Sequence, residues 1–102
     1  MTVRERNIAL PLDQIEAFCR QNPILRLSLF GSVLRDDFNE KSDVDFLVEL
    51  DPAGHVGLIK FLRMKYELQD MIGREVDLRT INEFPERLRP YVLETAESLY
   101  VR

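Results

Sequence analysis

Hydrophobic positions recur along the chain at two different periods, and each change of period marks an element. After Pro11, Leu12, Ile15, Phe18 and Cys19 fall three and four residues apart, the stripe of a short helix that Asn22-Pro23 stops. From Ile24 to Phe30 the period drops to two, with Leu25, Leu27 and Leu29 on one side and Arg26 and Ser28 on the other, which predicts a strand. Val44 to Leu50 alternates again, Val44, Phe46, Val48 and Leu50 facing one way and Asp43, Asp45, Leu47 and Glu49 the other. Beyond the turn Asp51-Pro52-Ala53-Gly54, Leu58, Phe61, Leu62, Leu68 and Ile72 predict the longest helix, from roughly His55 to Ile72, with Gly73 as its C-terminal cap. Glu75 to Thr80 predicts a third strand with Val76 and Leu78 inward. The remainder, from about Glu83 to Arg102, reads as helical around Leu88, Val92, Leu93 and Ala96, with a short extended end at Leu99 to Val101. Helices thus alternate with strands, so the class is α/β or α+β, a small sheet partly covered by helices.

Length and composition narrow the function. The 102 residues suffice for one domain, expected to span 1–102, and leave no room for a second that would bind an acceptor. With 18 acidic against 14 basic side chains and a net charge of -4, undirected attraction to nucleic acid or anionic membranes is disfavoured. A single cysteine, Cys19, excludes an intrachain disulfide and a cysteine-only zinc site. MTVRERNIAL carries no apolar export segment, so a cytoplasmic location is expected.

The chemistry lies in the carboxylates. Asp43 and Asp45 stand two apart on one strand and project from one face, about 6 to 7 Å apart along it. Asp77 occupies the equivalent side of the third strand and joins them if the two strands are adjacent. Like charges on one sheet face repel, by a few tenths to about 1 kcal/mol per opposed pair, and a bound divalent cation removes that objection. Oxygen ligands without a histidine or cysteine cluster suit Mg²⁺ or Mn²⁺ rather than zinc. Gly31-Ser32 follows the first strand directly and opens a short segment, Val33 to Asp37, with the character of a helical turn. Glycine admits a phosphate close to the backbone, exposed N–H groups favour an anion, the serine hydroxyl adds a donor, and Arg35 adds positive charge. Together these parts suit a nucleoside triphosphate.

The run GSVLRDDFNEKSDVD, Gly31 to Asp45, places Gly-Ser ten residues before Asp-x-Asp, and VDL at Val76 to Leu78 supplies a third acid. In this it resembles the minimal nucleotidyltransferases of the DNA polymerase beta superfamily, over most of the chain from about Pro11 to Val101. The resemblance implies the nucleotidyltransferase fold, a small mixed sheet of three or more strands with helices packed on one face. It also implies that Asp43 and Asp45 are metal ligands, that Asp77 binds the catalytic metal or takes the proton of the attacking hydroxyl, and that Gly31 and Ser32 hold the triphosphate. Arg35 resembles an arginine common after Gly-Ser, although Asp36 and Asp37 follow it here. Small members of the family act as antitoxins beside a helical HEPN-domain RNase toxin, and some transfer AMP from ATP onto a tyrosine of it. The expected activity is therefore Mg²⁺- or Mn²⁺-dependent transfer of AMP from ATP to a hydroxyl of such a partner.

Two rival readings use the same residues. In one, the chain neutralises the toxin by binding alone; in the other, it modifies a small molecule at a site that a homodimer builds across its interface. His55 reads as a solvated or capping residue, Cys19 as a core residue, and Asp36-Asp37 as a solvated loop. Tyr66, Tyr91 and Tyr100 could stack on a nucleobase, and nothing in the sequence selects one. Val56, Ile59 and Met64 lie off the main stripe of the long helix, widening its apolar surface into a face for fold packing or for a partner.

Overall fold

The computed structural model describes residues 8–35, 38, 39 and 41–102. The chain runs α1 (Leu12–Gln21), β1 (Ile24–Phe30), a 3-10 turn (Gly31–Leu34), β2 (Val44–Leu50), a second such turn (Pro52–Gly54) and α2 (Leu58–Ile72). It continues through β3 (Val76–Arg79), two more 3-10 turns (Ile81–Glu83 and Glu86–Leu88), α3 (Arg89–Thr95) and β4 (Glu97–Val101). The strands form one sheet in the order β3-β2-β1-β4. β1 lies antiparallel to both β2 and β4, while β2 and β3 run parallel. Parallel neighbours need a long crossover, and the 15 residues of α2 supply it.

The core lies between the sheet and the first two helices, with Ile15, Phe18 and Cys19 of α1 and Met64 and Leu68 of α2 packed on Leu27, Leu29, Val44, Phe46, Val48, Val76 and Leu78. Both helices are closed by local hydrogen bonds. Asn22 Nδ2 donates to the Phe18 carbonyl at 2.8 Å below α1. At the end of α2, Gly73, with φ 75°, donates its N–H to the Gln69 carbonyl at 2.7 Å.

Several expectations change. The register shift between Ile24 and Arg26 puts Ile24 in the core and leaves Leu25 half-buried outside it, so Leu25 does not share the face of Leu27 and Leu29. α2 begins at Leu58, not His55, and it is rotated from the predicted stripe: Met64 (1% exposed) and Leu68 (0%) are buried, with Phe61, Met71 and Ile72 packed beside them. Leu58 (73%), Ile59 and Leu62 (37%) face outward. A helix on a sheet can bury only one stripe, and 61, 64, 68, 71 and 72 make the continuous one. The Gly-Ser segment turns as a 3-10 helix already from Gly31. In the C-terminal region the helical part is shorter than expected, with α3 confined to Arg89–Thr95, and the extended end expected at Leu99 to Val101 begins two residues earlier, as β4, which completes the sheet beside β1. Asp36 and Asp37, read as a solvated loop, lie outside the described residues.

Candidate active site

Asp43, just before β2, and Asp45 within it are aimed by the burial of the residue between them. Val44 and Phe46 are fully buried, so Asp43 and Asp45 project to the opposite face, Asp43 exposed and Asp45 partly buried. In the parallel pairing of β2 with β3, Asp45 stands in register with Asp77, whose neighbours Val76 and Leu78 are buried in turn. The fold thus brings the three aspartates to one region of one sheet face.

The Gly-Ser turn docks onto the same place. Ser32 donates its backbone N–H to the Asp45 carboxylate and its Oγ–H to the Asp43 carbonyl at 3.3 Å. Val33, fully buried, anchors the turn from beneath. Gly31 has φ 75°, and a Cβ there would overlap Asp45 Oδ2, so glycine is required both by the backbone and by the acid. Burial raises the Asp45 carboxyl above its usual range, opposed by the Ser32 N–H and reinforced by the charges of Asp77 and Asp43, with Arg79 pulling the other way. A partly buried carboxylate crowded by two others is a site short of positive charge.

Two arginines shape this region that the sequence reading gave no role. Arg79, two residues beyond Asp77 on the same strand face, donates Nε to Asp77 Oδ2 at 3.0 Å, and its guanidinium lies 5.8 Å from the centre of the Phe84 ring. Its alternation with Asp77 was the available signal. Arg74 donates Nη2 to the carbonyls of Asn39 at 2.5 Å and Ser42 at 2.7 Å, fastening the loop that delivers Asp43. No local pattern links residues so far apart in sequence. Among the described residues, no three histidine, cysteine, aspartate or glutamate side chains already converge as a metal cage, and Asp77 is engaged by Arg79 instead. The set nonetheless suits a hard cation by chemistry: all donors are carboxylate oxygens, and the Ser32 N–H and Arg79 only partly offset the burial of Asp45 and the charges of Asp43 and Asp77 beside it.

Arg35 follows the turn and, with Gly31, Phe30, Leu34, Tyr91 and Val92, lines a cavity of about 430 Å³ between the turn and α3. A second cavity, about 390 Å³, is lined by Leu47, Thr80, Asn82 and Leu93 among others. His55 ends the Pro52–Gly54 turn with φ 50°, exposed, and does not cap α2, whose N-cap is Gly57. Among the described residues no helix is long and apolar enough to cross a membrane.

Comparison with known proteins bears on the family and the fold. A protein of Methanocaldococcus jannaschii named "putative protein adenylyltransferase" is 38% identical over 73 residues, 72% of this chain and 76% of the relative. A solved structure described as a "putative minimal nucleotidyltransferase" is 29% identical, covers 94% of each chain and superposes with a TM-score of 0.72. The fold is also that of a chain in the complex of a tri-AMPylated HEPN toxin of Shewanella oneidensis with its MNT antitoxin, at 22% identity, a TM-score of 0.63, and coverage of 89% of this chain and 70% of that one. Residues 12–101 match the model of the nucleotidyltransferase domain; the chain belongs to that family and is a nucleotidyltransferase of the minimal type.

Proposed function

We propose that this chain transfers AMP from ATP to a tyrosine hydroxyl of a HEPN-domain RNase and thereby acts as its antitoxin. The observation that carries the reading is the docking of Gly31-Ser32 onto Asp45 beside Asp43, with Asp77 in register on the next strand. The names of the relatives support adenylyl transfer, and the HEPN–MNT complex supports the partner class.

Each residue then has a task. Asp43, Asp45 and Asp77 would hold Mg²⁺ or Mn²⁺, which when bound neutralises phosphate charge and polarises the phosphorus under attack. Gly31 and Ser32 offer backbone N–H and hydroxyl donors to the triphosphate, and Arg35 adds charge near Gly31. The hydroxyl oxygen of the acceptor forms a bond to the α-phosphorus as the bond from that phosphorus to the bridging oxygen breaks, releasing pyrophosphate. Asp77, if not fully engaged as a ligand, accepts the hydroxyl proton. The exposed apolar residues Leu58, Ile59, Leu62 and Tyr66 on α2 offer a surface on which the acceptor protein can dock.

Incubation with a HEPN-domain protein encoded beside this chain, ATP and Mg²⁺ tests the reading by intact mass. The partner should gain one or more AMP units. A partner that gains no mass yet is inhibited on mixing would leave the chain an antitoxin by binding alone.

A further inference from the structure

The cavity beside the Gly-Ser turn has an occupant that follows from its walls. We infer that it takes the nucleoside of the donor nucleotide, with the base stacked on the Tyr91 ring; this rests on the phosphate role proposed for Gly31-Ser32.

Continuity comes first. Gly31 and Arg35 belong to the turn and also line the cavity, so a triphosphate held at the turn leaves its nucleoside at the cavity mouth. Size comes second: about 430 Å³ lies within the roughly 300 to 1,000 Å³ of small-molecule sites. The lining comes third, because Phe30, Leu34 and Val92 give apolar walls and Tyr91 gives an aromatic face.

Tyr91 has no other evident use. α3 is anchored by Val92, 7% exposed, whereas Tyr91 beside it is 67% exposed, so the ring is not needed for the core. The other two tyrosines are accounted for elsewhere. Tyr100 packs against the core, and Tyr66 lies on α2 with Lys65 Nζ 5.8 Å from its ring centre. The structure thus selects one tyrosine of three. Stacking on a flat aromatic suits any base, which makes Tyr91 a determinant of nucleoside affinity rather than of base identity.

Titration of the full chain with ATP and, separately, with inorganic tripolyphosphate, both with Mg²⁺, separates the two halves of the site. Tyr91→Ala should weaken ATP binding on the order of 5- to 100-fold and leave tripolyphosphate binding unchanged. Tyr91→Phe should keep parent affinity, because the ring and not the hydroxyl acts. Leu93→Ala, in the second cavity, should leave ATP binding unchanged, and melting temperatures check that each exposed variant is folded. Undiminished ATP binding by Tyr91→Ala, a selective loss in Leu93→Ala, or ATP binding no tighter than tripolyphosphate in the parent would each overturn the nucleoside site while leaving the phosphate site standing. If the parent bound neither ligand, the phosphate role itself would fall, and this inference with it.

Discussion

Ser32 donates its backbone N–H to the carboxylate of Asp45, so the turn that would hold phosphate is fastened to the acid that would hold metal. This bond joins the two halves of the motif across the connection from β1 to β2. It also places Gly31 where a side chain would displace that carboxylate.

Substituting the two left-handed glycines measures that contact. Gly31 and Gly73 share φ 75°, yet a Cβ on Gly73 would meet nothing within 4 Å. Gly73→Ala should cost only the left-handed backbone strain, about 1 to 2 kcal/mol. Gly31→Ala adds rotation of Asp45 off Ser32 and should cost at least about 1 kcal/mol more, since a hydrogen bond to a charged group is worth roughly 1.5 to 3 kcal/mol. Urea denaturation of both variants gives the difference; equal losses would mean that Asp45 yields freely.

The acids are expected to oppose stability in the metal-free protein. Burial holds the Asp45 carboxyl above its usual range, so its ionised form is disfavoured in the fold at neutral pH. Asp43→Asn with Asp45→Asn should therefore melt at the same temperature as the parent or higher when metal is chelated. Saturating Mg²⁺ at about 100 times its dissociation constant should stabilise the parent by roughly 2.7 kcal/mol and the double variant hardly at all. A large drop in the chelated melt would make the aspartates structural.

Arg79 Nε pairs with Asp77 Oδ2 at 3.0 Å. Both side chains are substantially exposed, so Arg79→Met should change stability by no more than about 1 kcal/mol. It frees Asp77, and Mg²⁺ binding measured by calorimetry should tighten. Asp77→Asn should slow AMP transfer by about 100-fold or more while partner binding persists. Weaker Mg²⁺ binding in Arg79→Met would show that the arginine assists the site instead of competing for it.

The rotation of α2 predicts unequal costs on one helix. Met64→Ala removes a fully buried side chain and should cost about 2 to 5 kcal/mol, whereas Leu62→Ala, on the exposed side, should cost less than about 1 kcal/mol. If Leu62 is part of the docking face, the same change should weaken partner binding. Reversed stabilities would restore the stripe expected from sequence.

An acid-side stability change should trace to Asp51. The hydrogen bond from Arg102 at 2.7 Å, then that from the Ala53 N–H, hold its carboxyl below the usual range. A depressed folded value means that the contribution is present above the unfolded value of about 3.9 and is lost as pH falls through the folded one. Arg102→Gln should flatten the fall in melting temperature below about pH 4. An unchanged acid limb would show the pair to be without weight in solution.

Sequence by itself determined what depends on short spacing. Alternation around Val44 and Phe46 puts Asp43 and Asp45 on one face whatever their surroundings, and Asp77 between Val76 and Leu78 follows the same rule. The step from Gly31-Ser32 to the paired acids was equally legible, because it lies within one continuous stretch of chain. Only the tertiary structure decided the rest. The register that sets Asp45 against Asp77 depends on where α2 returns the chain, and the burial of Ile24 in place of Leu25 depends on a bulge paid out against β2. α2 had apolar residues on more than one side, so its rotation was settled by the sheet that buries Met64. Tyr91 reaches the cavity beside Gly31 because β4 pairs with β1 and holds α3 near the Gly-Ser turn. Periodicity fixes which way a side chain points within its own element; which distant residue it meets is fixed by pairing and packing between elements.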